Sequence, residues 1–191
     1  MSPTHSASLA ALLVLFAMPL AAQPAEPQVK RLAAPADPAK AGVLIGKATV
    51  GGMQFQFELE GAEGMWMLMG NPPAWGAHQP AANERYHVEF KLTDPKSRTR
   101  IPYADVVVDA TNRTSGQTIK LPLAPMWGSS GLHYSANSAL LGDGVYAATI
   151  TVGVPTFERE LKDKDIWSQP TSARFHFRLR EGKVVEVTQP R

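Results

Sequence analysis

Hydrophobic and polar residues alternate with period two over much of the chain beyond residue 43. Met53, Phe55, Phe57 and Leu59 interleave with Gln54, Gln56, Glu58 and Glu60. Tyr86, Val88, Phe90 and Leu92 interleave with His87, Glu89 and Lys91, and Phe175, Phe177 and Leu179 with Arg174, His176, Arg178 and Arg180. Successive strand residues point to opposite faces, so each run predicts a strand with one packed and one wet face. The β-branched stretches 104–111, 118–123 and 144–154 predict further strands. Asp94-Pro95, the 112–116 segment and Gly142-Asp143-Gly144 punctuate them as turns, and Arg180-Glu181-Gly182-Lys183 predicts a hairpin into 184–188. Only 156–165 suits a short helix. Many short amphipathic strands with almost no helix predict an all-β fold, an antiparallel β-sandwich of immunoglobulin-like type.

The chain has 191 residues, enough for one domain with its own core. An apolar run between Leu9 and Ala22, followed by small residues, predicts a secretory signal peptide over 1–22; the run is short for a membrane span. Residues 23–42 are rich in Ala and Pro and predict a flexible lead-in, and 43–191 predicts a single β-sandwich domain. No other segment could insert in a membrane. The chain holds no cysteine, which removes disulfides, thiol nucleophiles and thiolate metal sites, and export without disulfides fits the bacterial periplasm. A net charge of +2 gives no reason to expect a nucleic-acid partner.

The richest chemistry lies in Pro125-Met126-Trp127-Gly128-Ser129-Ser130-Gly131-Leu132-His133-Tyr134. A Gly/Ser-rich loop that folds back would bring the Met126 thioether and the His133 imidazole to one point, a soft and a borderline donor suited to copper. Met65, Met67 and Met69 are spaced by two, so a strand there would present three thioethers on one face and Trp66 and Leu68 on the other; core filling is the competing use of such residues. His78 follows a Pro-rich loop and joins the candidate ligands. His87 and His176 stand on polar strand faces and are expected to be solvated. Ser129 and Ser130 lie near His133, but Gly128-Ser129-Ser130-Gly131 lacks the Gly-x-Ser-x-Gly spacing of a hydrolase elbow. No enzyme activity is expected.

On these residues the chain resembles the periplasmic iron-transport-associated metal-binding proteins, immunoglobulin-like (cupredoxin-like) sandwiches that work beside an inner-membrane iron permease. The family pattern is Pro-Met, then Gly-Pro-His-Tyr-Gly-x-Asn, then a Gly-x-Tyr strand. Pro125-Met126, Gly131, His133, Tyr134, Asn137 and Gly144-Val145-Tyr146 match it. The resemblance implies copper, with iron as the second candidate, held by Met126 and His133. It also implies a homodimer and the permease as partner. The pattern's upstream His-x-Glu is not found before Tyr86, where one placement sets Met65 and Met67, and Ser130 stands where relatives often carry an acid. Without those carboxylates the expected set is Met126, His133 and some of Met65, Met67, Met69 and His78, which favours Cu(I) over iron. The competing reading is a metal-free envelope module of the same fold that binds a protein partner.

Overall fold

Twelve strands form where alternation and β-branching favour them, and a computed structural model describes them over residues 26–189. In chain order they are β1 (Val29–Ala36), β2 (Val43–Val50), β3 (Met53–Gly61), β4 (Met65–Met69), β5 (Ala74–His78) and β6 (Tyr86–Thr93). They continue as β7 (Val106–Asn112), β8 (Thr118–Gly128), β9 (Gly131–Ser138), β10 (Gly144–Val152), β11 (Thr171–Arg180) and β12 (Lys183–Thr188). The expected short helix is reduced to a single 3-10 turn at Leu161–Asp163. The signal-peptide segment 1–22 lies outside the described residues. Among the described residues, no helix is long and apolar enough to cross a membrane.

Ten strands are hydrogen-bonded in the order β1-β12-β11-β10-β7-β8-β9-β6-β3-β2, all antiparallel, and β4 and β5 form a separate hairpin. Strand β8 joins the two layers. Its first half pairs with β7 as far as Leu123, and from Ala124 it pairs with β9. Pro122 and Pro125 flank this change of partner, where residues that cannot donate to a ladder are tolerated. The layers fold over one another so that β2 packs on β11 and β12. This is the antiparallel immunoglobulin-like β-sandwich that the sequence predicts.

Two expectations need correction. The lead-in read as flexible carries β1, whose Val29, Lys30 and Arg31 pair with Thr188, Val187 and Glu186 of β12. Backbone pairing to a distant edge overrides a Pro- and Ala-rich composition. The stretch read as a loop between Met126 and His133 is the tip of the β8–β9 hairpin, tightened to the two residues Ser129 and Ser130, with Gly128 opposite Gly131. Neither Ser129 nor Ser130 has a positive φ; Gly131 supplies the left-handed residue, at φ 82°, as in a type I turn closed by a glycine bulge.

The core lies between the layers and is aromatic. Phe57 meets Phe175 and Phe177 edge-on across it, with ring centroids 5.5 and 6.0 Å apart. Tyr146 stacks on Phe177 at 4.6 Å. The Tyr146 hydroxyl donates to the Gly142 carbonyl (2.5 Å) and accepts from the Leu141 N–H (2.9 Å), pinning the turn that precedes β10. This is a tyrosine corner in the sense known from immunoglobulin-like sandwiches. Tyr146→Phe keeps the ring but strands both backbone groups. It is expected to cost about 1–3 kcal/mol, the usual penalty for a buried polar group left without its partner, measured as a lower urea midpoint at unchanged slope.

Candidate metal centre

The outer face of the second layer is polar across four strands. Register places Glu58 opposite Glu89 and Glu60 opposite His87 between β3 and β6. It places His87 opposite Asn137 and Glu89 opposite Ser135 between β6 and β9. Met126 of β8 stands opposite His133 of β9. Directly paired residues share a face, with Cβ atoms about 5 Å apart. Thus the hairpin brings Met126 and His133 together, as the sequence predicts, but through strand pairing. Gly128 makes room for the imidazole, since a methyl there would lie 3.1 Å from His133 Cε1.

His87, Glu89 and His133 form the centre of this face. Their ligand atoms lie within 4.8 Å of one another, and the residues are 0, 3 and 2 % exposed. The expectation that His87 and His176 are solvated is wrong for both, since each is buried. For His87 the cover comes from a residue distant along the chain. Glu63, in the segment after β3, accepts from Asn137 Nδ2 at its carbonyl (2.8 Å) and sets its carboxylate 3.5 Å from His87 Nε2.

The surroundings fix both imidazoles in one tautomer. Asn137 spends its Nδ2 on the Glu63 carbonyl, so its Oδ1 faces His87 Nδ1 at 3.0 Å as an acceptor. His87 must donate there. His133 Nδ1 faces the Gly131 carbonyl at 2.9 Å, which also only accepts. In each neutral ring the proton therefore sits on Nδ1 and the Nε2 lone pair is free. Both Nε2 atoms are buried without a hydrogen-bond partner. Glu89 Oε2 stands 3.7 Å from His133 Nε2 without bonding to it. Native interiors rarely leave such groups unpaired. An imidazole steadied at its far nitrogen, with the near one bare beside a carboxylate, is how proteins prepare a histidine for a metal ion; His133 has Glu89 there and His87 has Glu63.

Glu89 is held ionised on this face. Burial pushes its carboxyl up, but the Lys91 ammonium, the positive charge His133 carries whenever it is protonated, and the Ser130 hydroxyl outweigh burial and keep it below its ordinary value, hence ionised. Ser130 Oγ donates to Glu89 Oε1 at 3.1 Å, and Lys91 Nζ lies 2.6 Å from the same oxygen and also binds Glu58. Lys91 is itself held above its ordinary value: burial lowers it, and the Glu58 and Glu89 carboxylates more than compensate. A second acidic group, Glu58, Glu60 and Glu89, also clusters here, but Lys91 already supplies its cation. On the far side, Ser135 Oγ donates to the Met126 sulfur at 3.2 Å.

His87 and Glu89 are the residues that the sequence reading missed. The signal was present: His87-Val88-Glu89 is the His-x-Glu sought upstream of Tyr86, standing instead on the Tyr86 strand itself. The expectation that no carboxylate remains is corrected accordingly. Met65, Met67, Met69 and His78 lie outside the buried cluster, on the β4–β5 hairpin. They line one cleft of about 800 Å³ together with Met126 and Ser135.

Fold and cluster together define an immunoglobulin-like β-sandwich with a buried histidine–carboxylate cradle on one sheet. The chain belongs to the iron-transport family, described as Fe2+ transport protein, whose family model matches residues 73–179. Among solved structures it is similar to FetP of uropathogenic Escherichia coli as isolated, at 21 % identity and TM-score 0.57, covering 73 % of this chain and 96 % of FetP. It is also similar to a copper-bound variant of Campylobacter jejuni P19, at 21 % identity and TM-score 0.59, over 73 % of this chain and 98 % of P19. Copper-reconstituted P19 gives 22 % identity and TM-score 0.57, over 72 % of this chain and 96 % of P19. These likenesses establish the shared fold. No curated protein matches the sequence.

Proposed function

We propose that this chain is a periplasmic metal-binding protein that takes up one copper ion through His87, Glu89, Met126 and His133 and supports iron or copper transport. The observation that carries this reading is the pair of buried Nε2 atoms without a hydrogen bond, His133's beside Glu89 and His87's beside Glu63, in a cluster whose ligand atoms lie within 4.8 Å. Two imidazoles suit copper, iron and zinc alike, and the thioether of Met126, opposite His133, shifts the preference toward copper. The copper-bound state of P19 supports the same choice. A favourable observation also exists for iron: two histidines and one carboxylate are the donor set of many Fe(II) sites, and the family description names Fe2+.

When bound, the ion would neutralise Glu89 and give both Nε2 atoms the partner they lack. Glu89 would then be shared between the ion and Lys91, so the ammonium tempers the anion that faces the metal. Ser135 orients the Met126 sulfur, while Asn137 and Gly131 hold the rings. An inner-membrane iron permease as the partner, and a homodimer as the working unit, belong to the same reading and draw on the family membership.

The test is a titration of the purified protein with Cu(II) and, anaerobically, with Fe(II). One tight equivalent of copper is expected, with nitrogen hyperfine structure from two imidazoles in its electron paramagnetic resonance spectrum. Iron retained more tightly than copper would reassign the metal. Protein that binds neither would overturn the reading and leave the metal-free, partner-binding module.

A further inference from the structure

We propose that the β4–β5 hairpin is a second metal site, an open thioether–imidazole cradle for a cuprous ion, separate from the buried cradle and independent of it. Strand β4 is Met65-Trp66-Met67-Leu68-Met69, five large apolar residues in succession, and none is buried. Met67 and Met69 are 38 and 42 % exposed. Core filling is the ordinary use of methionine, but here Met53 has that role, fully buried. The hairpin is a two-stranded sheet of its own. Such a piece gains little stability by itself, so displaying a row of thioethers on it answers to something other than folding.

Strand register sorts the side chains. Met65 stands opposite His78, Met67 opposite Gly76 and Met69 opposite Ala74. One face therefore carries three sulfurs and an imidazole, with only a glycine and a methyl besides. Trp66, Leu68 and Trp75 fall on the other face. The Met69 sulfur turns back over the strand pair and lies 3.6 Å from the point a Gly76 Cβ would occupy. That places it beside Met67, in the space the glycine leaves open. The small residues opposite Met67 and Met69 keep both thioethers uncovered.

The donor chemistry selects the ion. Thioethers are neutral and soft, so they bind Ca²⁺, Mg²⁺ or ferric iron poorly and Cu(I) well, and an imidazole strengthens that preference. The Glu84 carboxylate stands 3.8 Å from His78 Nε2 and adds a negative charge at that end. The cleft that the hairpin lines, with residues of both its faces, also holds Met126, opposite His133. An ion caught on the hairpin thus sits in the cleft whose inner wall is a ligand of the buried cradle, as suits capture from solution.

The methionine ε-methyl groups report on both sites in one experiment. The mature protein, labelled at the methionine methyls, is titrated with Cu(I) under ascorbate and in parallel with Ag(I). The signals of Met65, Met67 and Met69 are expected to shift, while Met53, in the core, stays still. The shifts should persist in His133→Leu, which removes a donor from the buried cradle only. Changing Met65, Met67 and Met69 together to leucine should abolish one bound equivalent. His78→Ala should weaken the hairpin site by about tenfold or more, at least the scale seen for a partner one step removed from a metal ligand. Movement of Met126 alone, or full stoichiometry in the triple leucine variant, would overturn the hairpin site while leaving the buried one standing. Hairpin shifts that vanish in His133→Leu would overturn its independence.

Discussion

The His133→Leu variant is expected to bind copper at least about 100-fold more weakly than the native protein, since loss of a mere outer partner of a ligand already costs 10- to 100-fold. That corresponds to about 3 kcal/mol of binding free energy. The metal-free variant should nevertheless be nearly as stable as the native chain. His133 is 2 % exposed, and its Nε2 is buried without a partner, a penalty of about 1–3 kcal/mol that leucine does not carry. Leucine also fills the space with apolar volume. The loss on the other side is the bond from Nδ1 to the Gly131 carbonyl, and Gly131 lies at the half-exposed hairpin tip, where water can replace it. Isothermal titration of the metal and thermal unfolding of the metal-free protein read the two effects separately. Unchanged affinity would remove His133 from the site. A collapse in stability with intact binding would make it a structural histidine instead. Strong loss of binding at little loss of stability is the mark of a residue kept for function against the interest of the fold.

The same contrast explains what could be read from the sequence. Period-two alternation located β3, β6 and β11, because each has one face in the core. Alternation says that the other face is polar and nothing about whether it meets water. On β6 every residue from Tyr86 to Leu92 is buried, with Glu63 against His87 and with Ser130 and His133 of the β8–β9 hairpin against Glu89. That cover is set by contacts distant in sequence, so the His-x-Glu looked like a solvated edge. Met126 and His133 were legible because a short Gly/Ser link constrains its ends whatever the fold. The link still looked like a loop, since nothing local shows that its flanks continue as β8 and β9. Strand β1 was invisible for a related reason: its order comes from the β12 edge.

Phe57→Ala should have the largest effect on the fold, a loss of about 3–5 kcal/mol, the range for a large aromatic removed from a packed interior. Phe57 is 2 % exposed and is the ring of β3 that touches both Phe175 and Phe177 of the facing layer. Truncation removes both edge-to-face contacts and leaves a void where the layers meet. Against a total stability of about 5–15 kcal/mol for an ordinary domain, the variant should unfold at much lower denaturant. The effect reaches the metal cradle by a short route. Phe57 pairs with Phe90 on β6, and Phe90 is flanked by Glu89 and Lys91 on the opposite face of that strand. If the cradle binds copper only when folded, the ion must stabilise the damaged protein by mass action, about 2.7 kcal/mol at a free concentration a hundred times Kd. Cu(II), which the thioethers of the hairpin do not favour, should therefore restore much of the lost midpoint in Phe57→Ala and almost none in the double variant Phe57→Ala/His133→Leu. Equal rescue of both would mean that the stabilising ion sits somewhere other than beside His133. No rescue of either would mean that closing the two layers and filling the cradle are not coupled.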